Sequence, residues 1–299
     1  MREWGFFAIF ATVFKNLSKK SVRIVKTYLF SAVVTLFMSV ALAGCSFGDG
    51  TPISSLGDSS MPIRRYDLLE MRYLTTGDYS ALQKMRTTYI VETSALVESL
   101  LKIGALGESG INERFKKYYE DPTLSAAIED VDSTFMNMDK ENEQLRTCLN
   151  RMRRLLPDIE LPDVYTQIGD FEQSIVVCGR CVGISLEKYL GPDYPVYKRF
   201  FDAQQRKQMS REYMIPECMS IYLLSQFPFD DFRPTSQNVR DFHFQCICYV
   251  VNKLLGDDFF GRSETCKADA FMEQHRDMSL SELLEYSSKE MQKASENAK

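Results

Sequence analysis

Eight cysteines and two histidines are the side chains of this 299-residue chain best suited to nucleophilic, redox or metal chemistry. Cys178 and Cys181 frame Gly179-Arg180 in a C-x-x-C. Where such a pair sits between a strand and a helix N-terminus, the helix lowers the first thiol's pKa and a redox centre results. Here a second β-like run follows instead, and no Trp precedes the pair. Three readings stand: a plain hairpin turn, a local disulfide, or half of a metal site completed by Cys246-Ile247-Cys248. Strand context favours the turn or the disulfide. A zinc peptidase needs His-Glu-x-x-His, two imidazoles one helical turn apart with a Glu as base. The only histidines, His243 and His275, are 32 positions apart, so that set cannot be assembled. His243 falls in a helical stripe and reads as a packed or surface imidazole. Asp230-Asp231 and Asp257-Asp258 lack the ligand spacing of a calcium loop and read as solvated turn residues. We therefore expect no catalytic residues, no metal and no cofactor. Phe227, Phe229 and Phe232 around Pro228 form an aromatic loop. It is the candidate partner-binding patch, and a lid tucked into the core is the competing reading.

The remaining reactive residue, Cys45, closes a secretion signal. Lys15, Lys19, Lys20, Arg23 and Lys26 supply a basic region, and Thr27–Ala43 is an uncharged apolar run. The run ends in Leu42-Ala43-Gly44-Cys45, which resembles the lipobox of bacterial lipoproteins. That resemblance implies cleavage between Gly44 and Cys45 and acylation of Cys45. Ala43 and Gly44 have almost no side chain, which suits a narrow protease site, and the thiolate is the nucleophile. A spanning helix wants about 20 apolar residues, so the run is short for a transmembrane anchor. Two or three acyl chains hold firmly where one alone is marginal. The apolar patch Trp4–Phe14 ahead of the basic cluster lengthens the signal, and a start nearer Ser18 would give an ordinary one. Residues 1–44 are thus read as signal peptide, 45–62, rich in Ser, Gly, Asp and Pro, as a flexible tether, and 63–299 as one globular domain.

Charge excludes several partners. Six basic residues and one acidic residue precede Cys45, leaving 30 basic and 40 acidic side chains after it. A formal charge near −10 opposes nucleic acid and electrostatic binding to anionic lipid. The expected membrane contact is the lipid on Cys45. The seven later cysteines cannot all pair within the chain and read mostly as buried thiols. The only Trp is Trp4, so nothing points to a sugar-stacking cleft.

The elements that must position these residues are mainly helical. Ile63–Leu74 opens the folded part. Leu82, Met85, Tyr89, Val97, Leu100 and Leu101 predict an amphipathic helix over residues 80–103, stopped by Gly104 and Gly107. Asp121-Pro122 predicts a capped helix start. Lys140–Leu156 predicts a helix with cations at its end, where they suit the dipole, and Pro157 after it. Val164-Tyr165, Ser174–Val177 and Val182–Leu186 are short β-like runs separated by Gly169-Asp170 and by the C-x-x-C. Helices return from Tyr213 or Pro216 to Phe227, after Ser236, and after the Ser279/Glu282 capping box. The fold class is α+β, mostly helical with a small central antiparallel sheet.

The segment Gly183-Ile184-Ser185-Leu186-Glu187-Lys188-Tyr189-Leu190-Gly191-Pro192-Asp193-Tyr194-Pro195-Val196-Tyr197, continued by Met209–Pro216, resembles the gliding-motility lipoprotein GldB family of Bacteroidota. Ile63–Asp67 and the long helical half ending near Leu156-Pro157 follow the family's order. Ser210-Arg211 stands where the pattern has Pro, and the likeness fades from Phe229 on, so the chain resembles a divergent member. The resemblance implies a zincin-like scaffold without the metal motif. It also implies a lipid-anchored envelope protein acting non-enzymatically, with envelope protein partners, in a motility or secretion assembly. Ser46 after the lipidated cysteine is not the Asp of inner-membrane retention, which favours the outer membrane. A degenerate or unusual envelope hydrolase is the alternative.

Overall fold

A computed structural model describes residues 63–228 and 237–296. The chain enters the fold through a short strand, β1 (Ile63–Arg65), and stays helical until Leu155. The helices on the way are α1 (Asp67–Thr76), α2 (Tyr79–Thr87), α3 (Ile90–Ser94), α4 (Ile111–Tyr118), α5 (Pro122–Thr134) and α6 (Asp139–Leu155). Then come β2 (Asp163–Gln167), β3 (Ile175–Cys178), β4 (Cys181–Ser185) and a 3-10 turn, Leu186–Lys188. The short helices α7 (Tyr197–Phe200) and α8 (Ala203–Lys207) lead to α9 (Met214–Gln226). Helices α10 (Gln237–Leu255), α11 (Arg262–Gln274) and α12 (Leu280–Glu296) complete it. The class is α+β and mostly helical, as expected.

The sheet differs from the expectation in one respect. Its order is β1-β2-β4-β3, and it is mixed, not antiparallel. Only β3 and β4 run antiparallel; β1 with β2 and β2 with β4 run parallel. Parallel neighbours need a long crossover, and helices α1 to α6 provide it between β1 and β2. The chain then passes to the outer edge as β3 and turns back as β4 between β3 and β2. Only the two-residue Gly179-Arg180 connection is short enough for a hairpin. The central strands β2 and β4 are buried on both faces beyond their first residues, and β2 buries Thr166 and Gln167 as well as Val164 and Tyr165.

One face of the sheet carries Tyr165, Gln167, Gly183 and Ser185, and the other carries Val164, Thr166, Val182 and Ile184. On the first face Arg64 pairs with Glu92 of α3 at 2.5 Å and lies 5.9 Å from the Tyr165 ring centre. On the second face α9 packs against β3 and β4, with α6 and α10 behind it. The sequence has Gly at 183 because the Tyr165 ring occupies the space of a side chain. A Cβ there would sit 2.6 Å from Tyr165 Cζ.

The helix expected over residues 80–103 is broken. α2 ends at Thr87, α3 restarts at Ile90, and Ala95–Leu100 relaxes into a π-helical turn. β-Branched Thr87 and Thr88 disfavour continuation. Thr93 Oγ1 then bridges the two pieces, lying 2.7 Å from the carbonyl oxygens of both Met85 and Tyr89. The other start signals hold. Asp121 accepts from the N–H groups of Thr123 and Leu124, and Ser279 and Glu282 form the expected reciprocal cap. Ser236 lies outside the described residues.

Arg211, at the entry to α9, ties the two halves of the helical layer. It forks onto Glu141 of α6 at 3.0 and 2.8 Å. It also donates to the carbonyls of Thr134 and Asn137 at 2.9 and 2.7 Å. Its guanidinium lies 5.0 Å from the Phe135 ring centre. Arg211 is thus a joint between the end of α5, the start of α6 and the entry to α9. We expect Arg211→Lys, which cannot fork and cap together, to lose about 1–2 kcal/mol between the surface and buried limits for ion pairs. Gly183→Ala should lose roughly 1–3 kcal/mol through overpacking, and Tyr165→Leu should offset much of that loss in the double variant. Urea midpoints with unchanged slopes would verify both expectations; additive losses at 165 and 183 would refute the second.

Candidate functional site

Where β1, β2 and β4 end, the chain has to leave the sheet, and its N–H groups lose their ladder partners. Four acidic side chains gather there. Asp67, just beyond β1, receives Arg65 Nε and Nη2 at 2.9 and 2.7 Å and the Thr166 hydroxyl at 2.5 Å. Glu70, one helical turn on, accepts the Ile168 N–H at 2.8 Å. Glu187, just beyond β4, accepts the N–H groups of Gly169 at 2.8 Å and Phe171 at 3.3 Å. These three are buried. Glu217, half-buried on α9, accepts the Tyr189 hydroxyl at 2.8 Å and the Ser174 hydroxyl.

The electrostatics follow from burial. Loss of solvation pushes the Glu187 carboxyl up to about 7, with the backbone N–H groups and Lys188 opposing. Burial likewise holds Glu70 well above the usual carboxylate range, and the carboxyls of Asp67 and Glu187 add to it. Glu217 is raised by burial against its two hydroxyl donors. Lys188 is pushed down by burial, although Glu187 and Glu217 draw it up. Its ammonium donates to the Phe171 carbonyl at 2.8 Å and lies 4.5 Å from the Phe201 ring centre. Phe171 itself has a left-handed φ of 66°, which places the loop so that it meets both Glu187 and Lys188. Tyr119 closes the cluster by donating to the Ile168 carbonyl.

Perturbed carboxyls in one place are the raw material of acid–base catalysis. Here their oxygens are engaged mainly with the chain's own N–H and O–H groups. The arrangement holds a loop against the sheet. A Cβ at Gly169 would approach Glu187 Oε1 to 2.7 Å, so the strap and the carboxylate are in direct contact. Glu70 Oε1 and Gln167 Oε1 have no hydrogen-bond partner among the described residues.

The residues singled out from the sequence lie elsewhere. Cys178 and Cys181 are paired residues at the β3–β4 turn, so the C-x-x-C closes a hairpin, as both the plain-turn and the local-disulfide readings require. Cys246 and Cys248 are buried in α10, and among the described residues no group of three or more Cys, His, Asp or Glu could hold a metal. His243 is buried. Its Nε2 faces the Phe227 carbonyl at 3.1 Å, and since that oxygen can only accept, Nε2 carries the proton. Its Nδ1 meets the Ser287 hydroxyl at 2.8 Å. His275 stacks on Phe271 at the end of α11. Asp257 accepts the Phe259 N–H in an exposed turn. Phe227 is buried, the core alternative for that residue. Cys45, Gly44, Phe229, Phe232, Asp230 and Asp231 lie outside the described residues. Glu70, Glu187, Glu217 and Arg211 were given no functional role from the sequence. The available signal was a charged Glu187-Lys188 pair inside an otherwise apolar strand-like run.

The family model for the gliding motility protein GldB matches residues 52–239, more than half of the chain, and the chain belongs to that family. Comparison with curated proteins and with solved structures gave no match. No helix among the described residues is long and apolar enough to cross a membrane.

The titration of Glu187 gives a measurable consequence. Its folded pKa lies above the ordinary 4.5, so the fold prefers the protonated form. That contribution is complete below about pH 4.5 and is lost as pH rises through about 7. Glu70 and Glu217 act in the same direction. The urea midpoint should therefore fall between about pH 5 and about pH 7.5, and Glu187→Gln should flatten that fall. The variant should also lose about 1–3 kcal/mol at low pH, because an amide NH2 would face a backbone N–H. An unchanged pH slope in the variant would show that Glu187 does not titrate in this range.

Proposed function

We propose that the chain is a lipid-anchored protein of the cell envelope that acts without catalysis in a motility- or secretion-associated assembly. The observation that carries this reading is membership of the gliding-motility family over residues 52–239. The Leu42-Ala43-Gly44-Cys45 pattern supports acylation of Cys45, and Ser46 favours the outer membrane. The residue chemistry supports a non-enzymatic role. Glu70 and Glu187 accept from backbone N–H groups of the loop beyond β2, Asp67 is held by Arg65 and Thr166, and His243 is locked between Ser287 and Phe227. The partners in this reading are envelope proteins, met by the domain on its tether.

One observation favours a second reading, an unusual or degenerate hydrolase on a zincin-like scaffold. Glu217 sits on a helix, α9, against the edge of the sheet. Pro216 and Ser220 stand one residue before it and three after it, where a His-Glu-x-x-His helix carries its imidazoles. Neither side chain is a zinc ligand of that class, so the second reading requires a different chemistry at Glu217.

A C-terminally tagged full-length chain, purified from detergent-solubilised membranes of the organism that makes it, should bring motility or secretion components with it in fixed ratio. A solitary lipoprotein would sink the stable-complex version and move hydrolase assays forward. In the same cells Cys45→Ser should abolish incorporation of a labelled fatty acid and leave the precursor uncleaved. Labelling that persists in the serine variant would place the lipid elsewhere or remove it from the account.

A further inference from the structure

We infer that Cys178 and Cys181 form an intrachain disulfide that closes the turn end of the β3–β4 hairpin. The two are directly opposed in the antiparallel register, on either side of Gly179-Arg180. Opposed residues in such a pair point to the same face with Cα atoms about 4.5–5.5 Å apart. That is inside the roughly 4.4–6.8 Å that a disulfide spans. Both thiols are free in the structure, and the Cβ atoms of an opposed pair, about 4.5–5.5 Å apart, have to draw in to the roughly 3.5–4.5 Å of a disulfide.

The surroundings decide which thiol chemistry fits. Cys178 is exposed and Cys181 half-buried, whereas Cys148, Cys218, Cys246 and Cys248 are buried. A disulfide reagent in solvent can therefore reach the turn and not those four. Burial and the Glu92 carboxylate hold both thiols above their ordinary range, and the Arg64 guanidinium beside Cys181 only partly opposes this. Neither thiol is the low-pKa nucleophile of an oxidoreductase. The site fits slow oxidation to a structural bond, not turnover of other proteins' disulfides.

The location gives the bond its effect. β3 is an edge strand, and an edge strand is the part of a sheet most open to fraying and to pairing with another chain. At the turn Arg180 reaches across β4 and grips Asp163 of β2 at 2.8 and 2.6 Å. That ion pair is solvent-exposed and so contributes little by itself. A covalent link between 178 and 181 would close the same end of the hairpin independently of salt.

The chemistry balances with an exogenous disulfide, RSSR, as oxidant. The Cys178 thiolate attacks one sulfur, the S–S bond breaks, and one RS⁻ leaves and takes up a proton. The Cys181 thiolate then attacks the Cys178 sulfur of the mixed disulfide and expels the second RS⁻, which is protonated in turn. Two protein thiols are oxidised, and one RSSR is reduced to two RSH. The envelope reading bears only on where the oxidant is met; the pairing is a property of the hairpin.

The test uses the purified full-length chain in detergent, incubated with oxidised glutathione, quenched in acid, denatured, alkylated and digested. The expected result is a peptide spanning Cys178 and Cys181 that is unalkylated and lighter by two hydrogen atoms, and that becomes doubly alkylated after prior reduction. The four buried cysteines should be alkylated throughout. In Cys178→Ser, Cys181 should end either free or as a glutathione adduct. Amide exchange at Val176 and Val182 should slow severalfold on oxidation of the wild type and stay unchanged in the variant. Full alkylation of both cysteines after oxidation, a stable glutathione adduct on either in the wild type, or pairing of either with Cys266 or Cys45 would overturn the proposal. These readouts do not depend on where the protein resides, so they separate this proposal from the envelope reading.

Discussion

The fold depends on how its parallel strands end. Beyond Gln167 the chain must leave β2, and the N–H groups of Ile168, Gly169 and Phe171 have no strand left to meet. Buried N–H groups without partners cost about as much as lost hydrogen bonds. Glu70 and Glu187 take these three donors. Glu70 lies on α1, which follows β1, and Glu187 in the 3-10 turn that follows β4; β1 and β4 are the two neighbours of β2 in the sheet. One loop is thus held by side chains from the segments that follow the strands on both sides of it. The cost is desolvation of carboxyls deep in the protein, and the fold meets it by favouring their neutral forms. Raised carboxyl pKa values and a fixed loop are two aspects of one constraint.

This bears on how ionisable residues in such a domain should be interpreted. Perturbed titration is a pointer to function only in a probabilistic sense, since structural networks perturb it too. Here the perturbed groups lie at the carboxyl ends of parallel strands, the place where α/β proteins commonly bind ligands. The strap Ile168–Phe171 is bound to those groups, with its N–H groups on Glu70 and Glu187 and its Phe171 carbonyl on Lys188.

The sequence was legible where a single periodicity or cap decides the outcome. The three β-like runs, the Asp121 and Ser279 caps and the helix ending before Pro157 all depend on local chemistry. Two features were not legible. The sheet was read as antiparallel because a turn signal is visible in sequence whereas a crossover is not: β1 pairs with Val164–Thr166 across the whole helical half. The helix over residues 80–103 kept its apolar spacing while Thr93 rewired its carbonyls. Both errors are of one kind, a distant contact overriding a local pattern. The strand-end carboxyls were missed for the same reason. Glu187 resembles any charged residue after a strand until the Gly169 loop is laid over it.

The family match stops at residue 239, just inside α10, but the core does not. Helix α10 packs on α6 and α9 as well as on α11 and α12. Cys148 and Met152 of α6, with Cys218, Met219 and Tyr222 of α9, are fully buried in the region that α10 covers. The last helices are then fastened to the family's region by polar contacts, His243 to Phe227 and Ser288 to Pro228. A segment outside the shared pattern is therefore part of the domain's interior. Cores accept hydrophobic substitution when volume and patterning are kept, so helices that only cover α6 and α9 are free to diverge in sequence. The strap at the strand ends has no such freedom, because each donor there needs one particular acceptor.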